Sequence, residues 1–147
     1  MKEQINLKGD VVVVLRDENG KIKEKREFTN LVVTAGKSWI ASRMASGAST
    51  VMGYIAVGTS GTAAAVGDTA LGGELARVSV TVSGGTASTN TVVFAASLPA
   101  GTGTGTLQEA GIFNAAAAGT MLARTVYSAI NKGAGDTMDI SWTITIG

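Results

Sequence analysis

Outside the first thirty residues, the acids that could do chemistry in this chain are Asp68, Glu74, Glu109, Asp136 and Asp139. Histidine and cysteine are both absent, which removes the commonest acid-base group, the commonest metal ligand and every thiolate site. Catalysis would have to rest on carboxylates with Ser, Lys or Tyr. Asp136 and Asp139 are close enough in sequence to share a hard cation. Calcium, however, asks for about six to eight oxygens, and the closely spaced Asp, Asn and Gly of a calcium loop is missing. Asp136 is therefore read as a turn residue. Glu109, in the neutral run Leu107-Gln-Glu-Ala-Gly-Ile-Phe113, is read either as half of a buried ion pair with Arg77 or Arg124 or as exposed on an edge.

Two glycine patterns imitate phosphate sites. Gly36-Lys37-Ser38 lacks the glycine that a phosphate-binding loop needs five residues earlier, where Leu31 stands. The alternating glycines of Pro99-Ala-Gly-Thr-Gly-Thr-Gly105 have the wrong spacing for a dinucleotide fingerprint, and no helix follows. Trp39 and Trp142 each sit in an amphipathic pattern that accounts for them as core residues, although either could serve as a stacking platform for a sugar. The expectation is a protein that is not an enzyme, with no catalytic, cofactor-binding or metal-ligating residues. An interaction surface is not assignable to residues at this level.

The elements that would carry any site are mostly strands. Met138-Asp-Ile-Ser-Trp-Thr-Ile-Thr-Ile146 alternates apolar and polar without a break, which predicts a half-buried strand with Met138, Ile140, Trp142, Ile144 and Ile146 on one face. The rest of the chain must cover that face. Residues 11–17 and 22–28 form a hairpin through Asn19-Gly20, a pair suited to a two-residue type I′ turn. That turn would set Asp17 opposite Ile22, Leu15 opposite Glu24, Val13 opposite Arg26 and Val11 opposite Phe28. The charged second strand reads as an edge.

One helix is expected over about residues 35–45, with Thr34 as N-cap and Gly47 just past its end. Strands follow at 51–58, at 78–82 and, antiparallel to that, 91–97, then at 107–114, 121–130 and the closing run. Long Gly, Ala, Ser and Thr loops over 59–73 and 99–105 read as flexible. The fold class expected is all-β, an antiparallel β-sandwich or jelly roll with one short α-helix.

At 147 residues the chain has the length of a single domain, 1–147, with the charged hairpin 11–28 at its edge. No uninterrupted apolar run is long enough to span a membrane, and no secretory leader pattern is seen at the start. Net charge is +1, which argues against a dedicated nucleic-acid binder. The distribution says more than the balance. Of the 23 charged residues, 13 fall within the first 30, leaving ten for the other 117. Charged residues are depleted where protein surfaces are buried against each other, so residues 31–147 are expected to supply contact surfaces.

Several segments then resemble, in order and spacing, a family of small tailed-bacteriophage virion structural proteins. They are Asn30-Leu-Val-Val-Thr-Ala-Gly-Lys-Ser-Trp-Ile-Ala-Ser-Arg-Met44, Ile55-Ala-Val-Gly-Thr59, Gly67-Asp-Thr-Ala-Leu-Gly72, Glu109-Ala-Gly-Ile-Phe-Asn114, Leu122-Ala-Arg-Thr-Val126 and Asn131-Lys-Gly-Ala-Gly-Asp-Thr137. Members of such families are labelled tail-fibre-like, and β-sandwich or jelly-roll modules of this size also serve as capsid cement or decoration proteins. The resemblance implies a virion protein made in the host bacterial cytoplasm. Its partners would be the major capsid protein or other virion proteins, and it is expected to form a homo-oligomer. A fibre would need a coiled-coil heptad or a triple-helical repeat, and neither is present, which favours a decoration protein on the head. A tail or fibre adaptor is the alternative, followed by a carbohydrate-binding receptor module.

Overall fold

β10 (Thr137–Ile146) runs down the middle of one sheet, and the alternation of its residues turns one of its faces inward. The structure, a computed structural model, describes residues 2–86 and 88–147. The first sheet has the order β2 (Ile22–Thr29), β1 (Leu7–Arg16), β10, β7 (Thr91–Leu98) and β6 (Thr81–Gly84). The second has the order β3 (Leu31–Val32), β9 (Met121–Lys132), β8 (Gly105–Phe113), β4 (Tyr54–Gly58) and β5 (Glu74–Ser79). Among the described residues every pairing is antiparallel, and a single helix, α1 (Thr34–Ala45), packs on β9. The fold is an antiparallel β-sandwich.

Met138, Ile140, Trp142 and Ile144 are buried between the sheets, with Trp142 set between Val11 on one side and Phe94 on the other. Ile146 does not join them. It lies beyond the last register pair with β7, stands opposite Leu7, bonds Asn90 O through its N–H at 2.9 Å and is 43% exposed. Burial of the aromatic and aliphatic side chains of these two inner faces is the main source of stability, at roughly 25 cal/mol per Å² of apolar surface.

The hairpin register holds at Val11, Val13 and Leu15, which face Phe28, Arg26 and Glu24. The turn differs from the expected two-residue form. A bulge between Leu15 and Arg16 brings Arg16, rather than Asp17, opposite Ile22. Gly20 N–H reaches Asp17 O at 3.0 Å, and the Asp17 carboxylate accepts from the N–H groups of Asn19 and Lys21, both at 2.9 Å. The side-chain acceptor holds a longer turn in which Gly20 (φ 81°) supplies the left-handed residue.

The chain changes sheet four times, twice through loops (β7 to β8 and β9 to β10) and twice at single-residue corners. Asn30 joins β2 to β3, and its Oδ1 accepts a 2.8 Å hydrogen bond from the Trp142 indole. Gly9 lies directly against that amide, where any side chain would overlap it. Val80 joins β5 to β6, so the run 78–82 that reads as one strand is divided between the sheets. Ser79 pairs with Tyr54, whereas Thr81 pairs with Ala95. Alternate backbone groups point to opposite sides, so one extended run pairs with β4 on one side and then with β7 on the other.

α1 begins one residue earlier than expected, and Thr34 is its first residue instead of its N-cap. Val33 occupies the cap position without a side-chain bond, because the carbonyl of Val66 takes the Thr34 N–H at 2.8 Å. Gly36 packs so close to the Leu122 backbone that a Cβ there would overlap it, which gives the glycine of the false phosphate motif its structural role. Gly47 lies past the helix end, and its N–H bonds Arg43 O at 3.2 Å.

Candidate functional site

Four of the ten charged residues in the neutral part of the chain, Asp68, Glu109, Arg124 and Lys132, hold two loops. Glu109 points to the outer face of the second sheet, opposite Val126 on β9 and Gly58 on β4. It is fully buried, because residues 59–73 fold back over that face. Its Oε1 accepts from the N–H groups of Gly73 (2.7 Å) and Ser60 (3.2 Å), and Oε2 from that of Gly72 (2.9 Å). Arg124 adds two bonds to Oε2, from Nη2 at 2.8 Å and Nε at 3.1 Å. Of the two arginines open as partners from sequence, Arg124 is the one that pairs.

Arg124 reaches further into the loop. Its Nη1 meets Asp68 Oδ2 at 2.9 Å, and its Nη2 donates to Thr62 O at 3.0 Å. Asp68 in turn accepts from Ala65 N–H at 2.9 Å. Burial opposes the ionisation of Glu109, but the bonds from Gly72, Arg124, Gly73 and Ser60 outweigh it and hold the carboxyl below its ordinary value. The Asp68 carboxyl is also held low, chiefly by the Ala65 N–H and then, against its burial, by Arg124. Leu71 completes the cover, packing with Phe113, Met121, Ala56 and Val33 in a small second core.

The glycine-rich segment 99–105 is tethered too. Lys132 is buried, and its ammonium donates to Asp136 O at 2.7 Å and Pro99 O at 3.0 Å. Burial pulls its pKa below the ordinary lysine value, against the attraction of Asp136. Gly101 N–H reaches Ala134 O at 2.9 Å. A side chain at Gly103 would meet Leu98, Val57 and Ala76, which places this segment at the same end of the sandwich as residues 59–73. Both stretches read as flexible from composition, and each is held by a buried charge instead.

The remaining acids are accounted for. Asp136 takes Lys23 Nζ at 2.7 Å and Gly133 N–H at 2.8 Å, and those two bonds keep its carboxyl low. Asp139 lies on the outer face of the first sheet, 3.8 Å from Arg16 Nε. The Asp136–Asp139 pair therefore does not converge, and among the described residues no cluster of three or more His, Cys, Asp or Glu forms a metal site. Glu74 pairs with Arg77, whose guanidinium lies 3.8 Å over the Phe113 ring and donates to the carbonyls of Ala115 and Ala118. Trp142 is enclosed in the core, while Trp39 is half-buried with its Nε1 bound to Thr50 O at 2.9 Å.

Sequence reasoning missed the clamp as a whole. Asp68 was visible as the one charge in its loop and Arg124 as a candidate partner, but three backbone donors to Glu109 carry no sequence signature. What the arrangement does chemically is to fix an uncharged surface. Apart from Asp68, which faces inward, residues 59–73 present Gly, Ala, Thr and an exposed Val66. The chain matches no protein-family model, no curated protein and no solved structure. The fold class, an antiparallel β-sandwich, stands on the architecture alone.

Proposed function

We propose that this chain is a non-enzymatic structural component of a tailed-phage virion, a cement or decoration protein that binds and reinforces the outer surface of the head. The observation that carries the reading is the clamp on residues 59–73. A buried carboxylate, an arginine and a second acid, Asp68 of the loop itself, hold in one shape a loop whose other residues are uncharged, and Lys132 holds a second, uncharged loop. Ordering a surface before binding lowers the entropic cost of association. Neutral, small residues suit the centre of a protein interface, where charge is depleted. The segment resemblance supplies the setting, and a tail or fibre adaptor would use the same surface on a different partner.

The test is reattachment of the purified protein to heads stripped of it. Binding should depend weakly on salt, since the docking surface carries almost no charge. Val66→Asp and Thr104→Asp should abolish binding with the melting temperature unchanged, whereas neutralising Lys23 and Lys25 should leave it intact. A protein that ignores heads and joins tails moves the reading to the adaptor. Binding that tracks the hairpin charges and collapses with modest salt overturns the neutral-loop docking altogether.

A further inference from the structure

The two edges of the first sheet are unlike each other. β2 carries Lys23, Glu24, Lys25, Arg26 and Glu27, charges of the kind that keep an edge strand from recruiting another. β6 has none, and all four of its residues are exposed. Indeed no charged residue occurs between Arg77 and Glu109. Gly85 N–H reaches Thr91 O at 2.8 Å and Val80 N–H reaches Gly53 O at 2.9 Å. With alternation between those two points, Thr81 and Ser83 aim their backbone groups at β7, and Val82 and Gly84 aim theirs at the opposite edge, which Gly53 closes at Val80 and leaves open beyond it.

Val82 stands opposite Phe94, so its side chain is on the inner face of the sheet, yet it is 48% exposed. It lines an apolar groove of about 440 Å³ together with Trp39, Val51, Met52 and Ile146. An exposed valine on an inner face, beside an unguarded edge, lacks the neighbouring strand that would cover it.

We propose that β6 is a self-association edge, at which two copies of this chain join antiparallel about a two-fold axis at Val82. The occupant is argued from parity and charge. A two-fold axis perpendicular to the sheet keeps inner faces on the same side, so Val82 meets the second copy's equivalent as a hydrogen-bonded pair and each shields the other above the groove. On the outer face Thr81 comes opposite Ser83 of the second copy, a small hydroxyl pair of the kind that favours cross-strand contact. With no charge from 78 to 108, self-pairing sets no like charges together. β6 belongs to the first sheet, whereas residues 59–73 cover the outer face of the second. A total exposed area of 7583 Å² leaves room for both, since a standard interface takes about 800 Å² from each partner.

The inference is read on the isolated protein and stands apart from the virion assignment. Sedimentation equilibrium from micromolar to millimolar concentration should show a monomer–dimer equilibrium insensitive to salt. Val82→Lys, which sets a cation against itself at the axis, should raise the dissociation constant by about tenfold or more. The native chain has no cysteine, so Val82→Cys introduces a single thiol. Facing Cα atoms in such a pair lie about 5.5 Å apart, within the range of about 4.4–6.8 Å that a disulfide spans. Mild oxidation should therefore give a covalent dimer far faster than it does with Ser141→Cys on the outer face of β10. A native protein that stays monomeric throughout overturns the proposal. So does a dimer that survives Val82→Lys, or equal cross-linking of the two cysteine variants.

Discussion

On the outer face of the first sheet, Val12, Ser141, Ala95 and Thr81 lie side by side in one uncovered row. On the outer face of the second, Glu109, Gly111 and Phe113 lie beneath residues 59–73, tied down through Arg124 and Leu71. A sheet with one wet face needs only alternation to define it. A sheet covered on both faces needs something to satisfy the polar groups of the covering segment, since an unpaired buried polar group costs about 1–3 kcal/mol. The buried carboxylate meets that need for three loop N–H groups at once.

The largest effect that sharpens this contrast comes from the inner side. Trp142→Ala should cost about 3–5 kcal/mol in chemical denaturation, whereas Thr143→Ala on the uncovered face should cost less than about 0.5 kcal/mol. Equal losses would mean that the two faces of the first sheet are not distinct. Next comes the covered face. Glu109→Gln should cost about 3 kcal/mol, at the lower end for a broken buried pair because Arg124 keeps Asp68 and Thr62 O. Amide hydrogen exchange should rise at Ser60, Gly72 and Gly73 and stay unchanged in β10. Protection that persists at those three amides would remove the clamp from the account.

The same carboxylates fix the sign of the acid limb. Glu109 and Asp68 have folded values below their ordinary ones of 4.5 and 3.8. The unfolded chain therefore takes up protons first as pH falls. Their stabilising contribution is complete above about pH 4.5 and is lost as pH drops through the lowered folded values, and the limb should be shallower in Glu109→Gln. The smallest change tests a tie outside the comparison. Asp136→Asn removes the charge that meets Lys23 and should lower the melting temperature less than Glu109→Gln does, with no effect on exchange in residues 59–73.

How far the sequence could be read follows the same division. β10, the hairpin register from Val11 to Leu15 and the edge placement of β2 were legible because each depends on local period and on residues near in sequence, while the turn end of the hairpin, where the bulge puts Arg16 opposite Ile22, was not. Residues 51–53 and 78–82 were read as simple strand because composition does not show a corner. The bend at Val80 is set by which neighbour takes each N–H. The clamp lay further out of reach. Glu109 meets Gly72 and Gly73 across 37 and 36 residues through backbone groups that every residue carries, so no side-chain pattern announces them. Composition called the two glycine-rich segments flexible, and it does not report the distant charge that holds each one.

The first and last strands have a mechanical consequence. β1 and β10 are antiparallel neighbours, with Leu7 opposite Ile146 and two 2.8 Å bonds joining Asn6 to Gly147 just beyond them. Tension applied at residues 6 and 147 would pull on one end of this pair and open it bond by bond, like a zip, instead of shearing all of its ladder at once. Tension applied instead at residues 16 and 147, on opposite ends of the same pair, would load its whole ladder at once.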